Sequence, residues 1–411
     1  MSTTSEDDSQ EQFEQDNSLL RESWAQFCDS LKESGDIVFR DSGPQNSISR
    51  ATGMRLLARN ISLAMQFEME NCNPDFPELL HYFDPLRKQG GDNTDALYVG
   101  SPINGQHSYR IWGQRGSAAY FAITVLEDGN TPWGGGVVAT LLGDDLKLDD
   151  DGRFELIVSP DSMPEGFAGP GKNWMQSSPE SYRITFRQFF ADWLNEEPMT
   201  AQIECLSHEL PHPHFTPQSL AHGLQKSANW VNSSVAYWAT MIDKWKVQPN
   251  TFLSYGELEK NKIDFTPGGA PIIAFWQLPK DEALIIRVQP PNAQYWAVEF
   301  GNYWWETMDY RYHFSSTNCH HARLESDGEL IIVITHEDLG ASNWLDPCGH
   351  EEGYITFRWI GSDSYPKPDC RQLSVSELRA QHSHLLSKVS ATERSVDLKA
   401  RRQGITRRFG S

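Results

Sequence analysis

The chain has 411 residues, which is enough for roughly two to four domains with cores of their own. Apolar residues make up 38% and charged residues 22%, a composition typical of folded globular proteins and not of disordered ones. The net charge of −21 argues against nucleic-acid binding, because contacts to phosphates need clustered cations.

The N-terminus and the cysteines bear on localisation. Residues 1–17 carry acids but no Lys or Arg, unlike a secretory signal or a transit peptide. No apolar run approaches the ~20 residues that span a bilayer. The six cysteines show no Cys-x-x-Cys spacing, which is typical of reduced thiols. The sequence therefore predicts a cytoplasmic protein without nucleic-acid or membrane partners.

Apolar periodicity and turn residues divide the chain into six segments. The predicted fold class is α+β, mainly β, with two jelly-roll-like β-sandwich modules. We expect a disordered acidic tail at 1–17, a helical region at 18–96, the first β-sandwich module at 97–196, a helical connector at 197–270, the second module at 271–370, and a basic C-terminal helix and tail at 371–411. Finer expectations are helices at 187–196 and 375–402 and strands at 310–314 and 321–325.

The two β regions repeat one another. Tyr120-Phe121-Ala122 matches Tyr295-Trp296-Ala297, and Ile184-Thr185-Phe186-Arg187 matches Ile355-Thr356-Phe357-Arg358. Three further matches keep the same order at similar spacing. The pattern indicates an internal duplication, with helices joining and flanking the two copies.

The second copy carries ionisable residues where the first carries glycine and apolar residues. At a constant offset, the counterparts of Gly134, Val137, Ala139 and Leu141 are Glu306, Asp309, Arg311 and His313. The first copy builds the same element without charges, so we expect the second to have acquired a polar site. On a strand, Asp309, Arg311 and His313 would share one face.

Two sets of candidate residues follow from this asymmetry. The catalytic candidates are groups able to transfer protons or hold charge, namely Asp309, Arg311, His313, His320, Asp346 and His350. The substrate-binding candidates are Tyr303, Trp304, Trp305, Glu306, Asn343 and Trp344. His320 and His321 are neighbours in the predicted strand, so only one of them faces the site. Asn343-Trp344 has a counterpart in Asn173-Trp174, which leaves a structural role open.

Motifs for common cofactors are missing. The chain has no phosphate-binding loop, dinucleotide fingerprint, nucleophile elbow or His-Glu-x-x-His motif. We therefore expect no cofactor and no metal. His208, His212 and His214 could together chelate a metal, but no distant ligand is specified, and a solvated linker is the simpler interpretation.

Several long motifs resemble the DUF1214 family, a domain of unknown function common in bacterial proteins. The runs that carry the resemblance are 302–311, 327–328, 336–350 and, upstream, 93–98, 102–105 and 109–116. Together they cover about residues 74–360. This chain has Asp338-Leu339-Gly340 where the family usually has Asp-Pro-Gly, and Pro347-Cys348 where it has Thr-Ala. The resemblance implies a jelly-roll-like β-sandwich and supplies no activity.

Three functions remain open from the sequence. The first is a cofactor-independent acid–base enzyme, a hydrolase or lyase, that acts on a small, largely apolar or aromatic molecule in a Trp/Tyr-lined pocket of the second module. The second is a carbohydrate-active or carbohydrate-binding sandwich, to which paired carboxylates such as Glu306 and Asp309 would contribute. The third is a non-catalytic assembly protein that forms homo-oligomers through its C-terminal helix.

Overall fold

The computed structural model describes residues 3–129, 131–207, 211–254 and 266–410. Its α-helices are α1 (Thr3–Ser34), α2 (Ser47–Met65), α3 (Pro217–Trp245), α4 (Val375–Gln381) and α5 (Ala391–Phe409). Short turns of 3-10 helix (Gly35–Phe39, Ser383–Leu385) and of π-helix (Gln66–Glu70) extend some of them. The side chains of Asn46, Thr216, Ser374 and Ser390 cap α2, α3, α4 and α5, which fixes where these helices begin.

The strands form two modules with the same topology. The first module contains β1 (Leu80–His81), β2 (Ala96–Pro102), β3 (Tyr109–Gln114), β4 (Tyr120–Glu127), β5 (Gly136–Leu142), β6 (Arg153–Ser159), β7 (Lys172–Gln176), β8 (Ser181–Phe189) and β9 (Thr200–Cys205). The second contains β10 (Leu253–Ser254), β11 (Gly269–Gln277), β12 (Glu282–Val288), β13 (Ala293–Asn302), β14 (Ser316–Asn318), β15 (Leu330–Ile334), β16 (Asn343–Leu345), β17 (Glu352–Ser362) and β18 (Asp369–Ser374).

Strand order confirms the duplication. The sheets of the first module run β1-β2-β8-β4-β5 and β7-β6-β3-β9. Those of the second run β10-β11-β17-β13-β14 and β16-β15-β12-β18, which is the same order strand for strand. Each module repeats even the single parallel pairing, β6 with β7 and β15 with β16. The last strand of the first module, β9, lies beyond the boundary that the sequence suggested at 196, and β18 extends past the one at 370.

Alternating side chains give each module a core of its own. In the first module, Ile123 and Phe186 point between the two sheets. In the second, Val298 and Phe357 do the same. Both modules are therefore β-sandwiches, as the sequence predicts.

The outer faces of the two five-stranded sheets share a further core with the helices. Tyr98 and Phe189 from the first module and Tyr295 from the second belong to one buried cluster with Trp230 of α3. The rings of Phe189 and Tyr295 lie 5.4 Å apart. The modules thus face each other across a layer of aromatic side chains, with α2 and α3 packed at its edge.

Three predicted elements are wrong. Residues 310–314 form a turn in which the Tyr312 and His313 amides both donate to the Asp309 carbonyl. Residues 321–325 are irregular, because the Asn318 side chain accepts from the amides of the two following histidines and ends β14. At 187–196 the chain continues β8 to Phe189 and then forms a loop around Glu196, whose carboxylate accepts the Ala191 and Asp192 amides.

Both ends of the chain also differ from expectation. Residues 3–17 belong to α1, where side-chain pairs four residues apart, such as Gln10 with Glu14, support the helix. The predicted helix at 375–402 is two helices, because Ser387 adopts a φ of +54° and its amide donates to the Leu339 carbonyl. None of the helices in the described residues is long and apolar enough to cross a bilayer.

The basic C-terminal helix α5 packs on its own chain. Arg394, Arg401 and Arg408 are seven residues apart, so they share one face of the helix, and all three are buried. The Arg394 guanidinium pairs with Asp338 at 2.9 Å, and Arg401 donates to the Ser316 hydroxyl at 2.6 Å. Arg408 donates to the Thr94 carbonyl at 2.6 Å. The helix therefore contacts both modules.

Asp95 joins the two modules at a buried point. Its carboxylate accepts hydrogen bonds from Tyr295 at 2.6 Å, Asn318 at 2.8 Å and the Trp193 indole at 2.9 Å. Only 1% of Asp95 is exposed, so water cannot replace these bonds. Burial raises the pKa of Asp95, and its hydrogen bonds and the Arg408 charge oppose that rise.

We expect Asp95→Ala to lower the free energy of unfolding by about 3 kcal/mol, because three buried donors lose their acceptor. Chemical or thermal unfolding followed by circular dichroism measures the change. The matched control is Asp145→Ala, whose parent residue is exposed and should matter by less than about 0.5 kcal/mol. Equal stability of the two variants would contradict the proposed role of Asp95.

Candidate functional site

The segment 303–315, which carries most of the predicted site residues, does not align with β5 at a constant offset. Asn318 pairs with Ala297 where Leu142 pairs with Ala122, so β14 and not residues 309–313 is the counterpart of β5. The extra residues of the second copy form turns before β14. The ionisable side chains are therefore not spread along one face of a strand.

Two predicted acids in this segment are held by arginines. Glu306 is fully buried and lies 2.5 Å from the Arg59 guanidinium of α2. Asp309 is half-buried and accepts two hydrogen bonds of 2.8 Å from Arg311. Hydrogen bonds and the charges of Arg311 and Lys88 lower the pKa of Asp309 in spite of its desolvation.

His313 and Asp346 do come together. His313 Nδ1 lies 2.7 Å from Asp346 Oδ2, and the Cys348 amide donates to the same carboxylate at 2.8 Å. Within the described part of the chain, His313, Asp346 and Cys348 are the one group of three side chains with ligand atoms close enough, within 4.8 Å, to hold a metal. Burial raises the pKa of the Cys348 thiol, so it is protonated at neutral pH.

The other predicted histidines lie apart from this pair. His320 is exposed, and its Nε2 is 3.7 Å from Asp192. His321 packs on Trp193, and burial lowers its pKa to about 3. His350 is buried, and desolvation lowers its pKa to about 4. Of the loop histidines, the His212 ring donates to the Pro213 carbonyl, and His208 lies outside the described residues.

Most of the predicted binding residues have structural contacts. The Tyr303 hydroxyl lies among Arg40, Asp243 and Lys246, and the Trp304 indole donates to the Ser49 carbonyl. The Trp344 indole donates to the Thr335 carbonyl.

Asn343 fixes a turn in the second module. It accepts from the Arg323 amide and donates to the Ile331 carbonyl. Asn173 makes the equivalent bonds in the first module, to the Lys147 amide and the Glu155 carbonyl. The structural role that the sequence left open for Asn343 thus fits its contacts.

Trp305 differs from these residues, because it lines a cavity of about 140 Å³ between the two modules. Strands β2, β4 and β8 form one wall, β11 and β17 form the other, and α3 and the 82–92 loop close the sides. The aromatic lining consists of Tyr82, Phe83, Tyr98, Trp133, Trp238 and Trp305. The polar lining includes Gln89, Asp92, Arg183, Thr185, Arg187, Thr356 and Arg358.

Strand alternation explains why polar residues line this cavity. Ile184 and Phe186 of β8 enter the core of the first module, so Thr185 and Arg187 point the other way. Ile355 and Phe357 of β17 enter the core of the second module, so Thr356 and Arg358 point toward the cavity from the opposite side. The repeated Ile-Thr-Phe-Arg motif thus supplies both walls.

Two consecutive glycines allow the 82–92 loop to pack closely against two tryptophans at the side of the cavity. Gly90 and Gly91 have φ values of +64° and +71°, which glycine adopts without strain. A Cβ atom at either position would lie 2.6 Å from the Trp238 or the Trp305 indole. The Gly91 carbonyl also accepts a 2.7 Å hydrogen bond from Arg358.

Asp92 is the acidic residue among those that the structure describes in the cavity lining. Its carboxyl accepts from the Thr307 amide at 3.0 Å and from the Thr307 hydroxyl at 2.6 Å. Only 4% of Asp92 is exposed, and burial raises its pKa, opposed by the Lys88 charge. Burial lowers the pKa of Lys88 to about 8. The pKa of Asp92 is therefore higher than that of an aspartate on the surface.

The sequence pattern did not single out Arg183, Asp92 or Thr356 as site residues. One signal was available: the repeated Ile-Thr-Phe-Arg run placed a threonine and an arginine on the same face of both copies. This repeated run indicates the duplication. The sequence alone does not show that the two faces oppose each other.

Comparisons with known proteins agree with the fold. The model of DUF1214, a protein family of unknown function, matches residues 93–192 and 280–364, one stretch in each module. The chain is a DUF1214 domain-containing protein. No curated protein matches it.

Two solved structures resemble this DUF1214 protein. An uncharacterised protein from Burkholderia cenocepacia is 28% identical with a TM-score of 0.82, over 88% of this chain and 100% of that chain. A protein from Vibrio parahaemolyticus is 11% identical with a TM-score of 0.46, over 84% of this chain and 99% of that chain. The first supports the arrangement of both modules, and neither name states an activity.

The pair His313–Asp346 allows a test of the site electrostatics. The Asp346 carboxylate raises the pKa of His313 above the usual 6.5 through its hydrogen bond. We expect the His313 ring to titrate above pH 6.5 in an NMR pH series, and the midpoint to fall in Asp346→Asn. Because the folded pKa exceeds the unfolded one, the stabilisation by His313 is complete below pH 6.5 and is lost as the pH rises through the folded pKa.

His350 is the internal control for this titration, since its pKa is about 4 and it stays neutral near pH 7. A His313 midpoint at or below 6.5 in the parent protein would contradict the contact with Asp346.

Proposed function

We propose that this DUF1214 protein is a cofactor-independent acid–base enzyme, a hydrolase or lyase, whose small, largely apolar or aromatic substrate binds in the cavity between the modules. The observation that carries the proposal is a buried carboxyl, Asp92, in the wall of an aromatic-lined cavity. This location differs from the sequence-based expectation of a pocket within the second module. Trp305 belongs to both versions of the site.

The cavity chemistry suits a largely apolar molecule with few polar groups. Six of its lining residues are aromatic. Its volume of about 140 Å³ is similar to the ~150 Å³ apolar cavity known to admit benzene. A substrate with one ring, or an aliphatic body of that size, fits such a space.

Asp92 has the properties of a proton carrier. A raised pKa keeps a larger share of the carboxyl protonated near neutral pH, where it can act as a general acid or, once ionised, as a strong base. The two hydrogen bonds from Thr307 fix its orientation. Proton transfer by a positioned carboxyl is sufficient for hydrolysis or elimination, which need no redox cofactor.

The two alternatives gain less support. Glu306 and Asp309, the carboxylate pair considered for sugar chemistry, are engaged by Arg59 and Arg311. The C-terminal helix considered for assembly buries its arginines on its own chain. Neither function has an observation comparable to the cavity with its buried acid.

The proposal predicts that Asp92→Asn loses turnover by about 100-fold or more, the usual contribution of a general acid or base. A library of small aromatic and aliphatic compounds incubated with the protein, and analysed by mass spectrometry, identifies what is consumed. Asn has the size of Asp and still accepts from Thr307, so the fold should persist.

Asp145→Asn is the control, since Asp145 is exposed and outside the cavity. The parent activity should also fall as the pH leaves the range in which Asp92 carries its required proton. Unchanged turnover in Asp92→Asn, with an intact circular dichroism spectrum, would exclude the proposed role.

A further inference from the structure

Arg183 of β8 lines the same cavity and carries a charge that nothing in the described residues neutralises. We propose that Arg183 binds an anionic oxygen group, a carboxylate or a phosphate, of the small molecule that enters the cavity. The inference rests on the proposed function, because it places the anion in the same cavity. It specifies that the substrate is a small organic anion.

The surroundings of Arg183 support this assignment. The residue is 8% exposed, and its guanidinium has no hydrogen bond or ion pair with any described residue. Its Cζ atom lies 4.5 Å from the Phe67 ring centre, which holds the planar group in place. A buried charge without a partner is costly, and an anion bound beside it would remove that cost. A guanidinium matches the planar geometry of a carboxylate or phosphate.

Unsatisfied donors elsewhere in the lining point to the same ligand chemistry. The indole nitrogens of Trp238 and Trp305 and the hydroxyl of Thr356 are buried and have no hydrogen-bond partner. An indole N–H can only donate, and a hydroxyl can do so. Among the described lining residues, one acceptor is unsatisfied, the Gln89 carbonyl oxygen. A ligand rich in acceptor oxygens complements this set.

Among the described residues, the acids near the cavity do not cancel the positive charge of Arg183. Asp92 has a raised pKa, which favours its neutral form. Glu299 is paired with Arg358 at 2.6 Å, and burial raises its pKa to about 8. The described residues of the lining are thus locally positive in a protein of net charge −21, a contrast that a site for an anion explains.

The test compares anions with neutral molecules of the same shape. Benzoate and phenyl phosphate are titrated into the full-length protein, with benzamide and benzyl alcohol as the neutral counterparts, and binding is followed by calorimetry and by thermal shift. We expect at least one anion to bind about tenfold or more tightly than its neutral counterpart. Whether benzoate or phenyl phosphate binds tighter identifies the anionic group.

Variants assign the effect to Arg183. Arg183→Met should weaken anion binding about tenfold or more and leave neutral compounds unaffected, whereas Arg183→Lys, which keeps the charge, should weaken it less. Arg21→Met, on the exposed surface of α1, is the control for the change in net charge. If Arg183→Met does not fold, Thr356→Val removes one of the unsatisfied donors at nearly constant volume and should also weaken the anion.

Two results would overturn the inference. One is that the neutral compounds bind as tightly as the anions, and the other is that no anion binds, which would mean that water satisfies the donors. Binding and turnover separate the two proposals. Arg183-dependent anion binding with no turnover would contradict only the enzyme function, and Asp92-dependent turnover of a neutral compound without anion preference would contradict only the anion site.

Discussion

The buried carboxylate of Asp95 is the contact on which the relation between the two modules depends. It lies just before β2 of the first module, accepts from Tyr295 on β13 and Asn318 on β14 of the second, and receives the Trp193 indole from the loop after β8. Three donors converging on one buried acceptor specify a single relative position of the sheets, because any shift would leave polar groups unsatisfied. The guanidiniums of α5 pack beside this point, so the C-terminal helix stabilises the same arrangement.

The cavity follows from the duplication, because equivalent strands of the two five-stranded sheets face each other across it. Strands β8 and β17 occupy equivalent central positions, and each directs a threonine and an arginine out of its own sandwich core. The two copies differ in what their arginine contacts: Arg358 pairs with the Glu299 carboxylate, while Arg187 donates to the Thr124 hydroxyl, which occupies the equivalent place on β4. The copies therefore differ in charge at this one position, Thr124 against Glu299, and keep the same strand order.

The polar segment of the second module, residues 303–315, packs against the cavity and forms part of its wall. Trp305 adopts a φ of +58° and directs its indole into the cavity, and Thr307 holds the Asp92 carboxyl. Lys88, which is fully buried, donates to the carbonyls of Thr307 and Met308. The extra residues of this copy thus position groups that belong to the 82–92 loop and to the first module. They build one side of the cavity, whereas the His313–Asp346 pair lies apart from it.

Local pattern was sufficient for most of the strands and for the repeat. The runs at 120–126, 154–159 and 354–359 are rich in aromatic and β-branched residues, and the copies share five motifs in order, so module type and duplication could be predicted. The turn at 309–313 was misassigned because Asp309, Arg311 and His313 alternate like a strand, while the backbone follows hydrogen bonds to the Asp309 carbonyl that no periodicity encodes. The polar faces of β8 and β17 were visible in the sequence as well. Only the contact between the modules, made by residues about 200 positions apart such as Asp95 and Tyr295, decided that those faces enclose a cavity and that Asp92, Arg183 and Trp305 meet there.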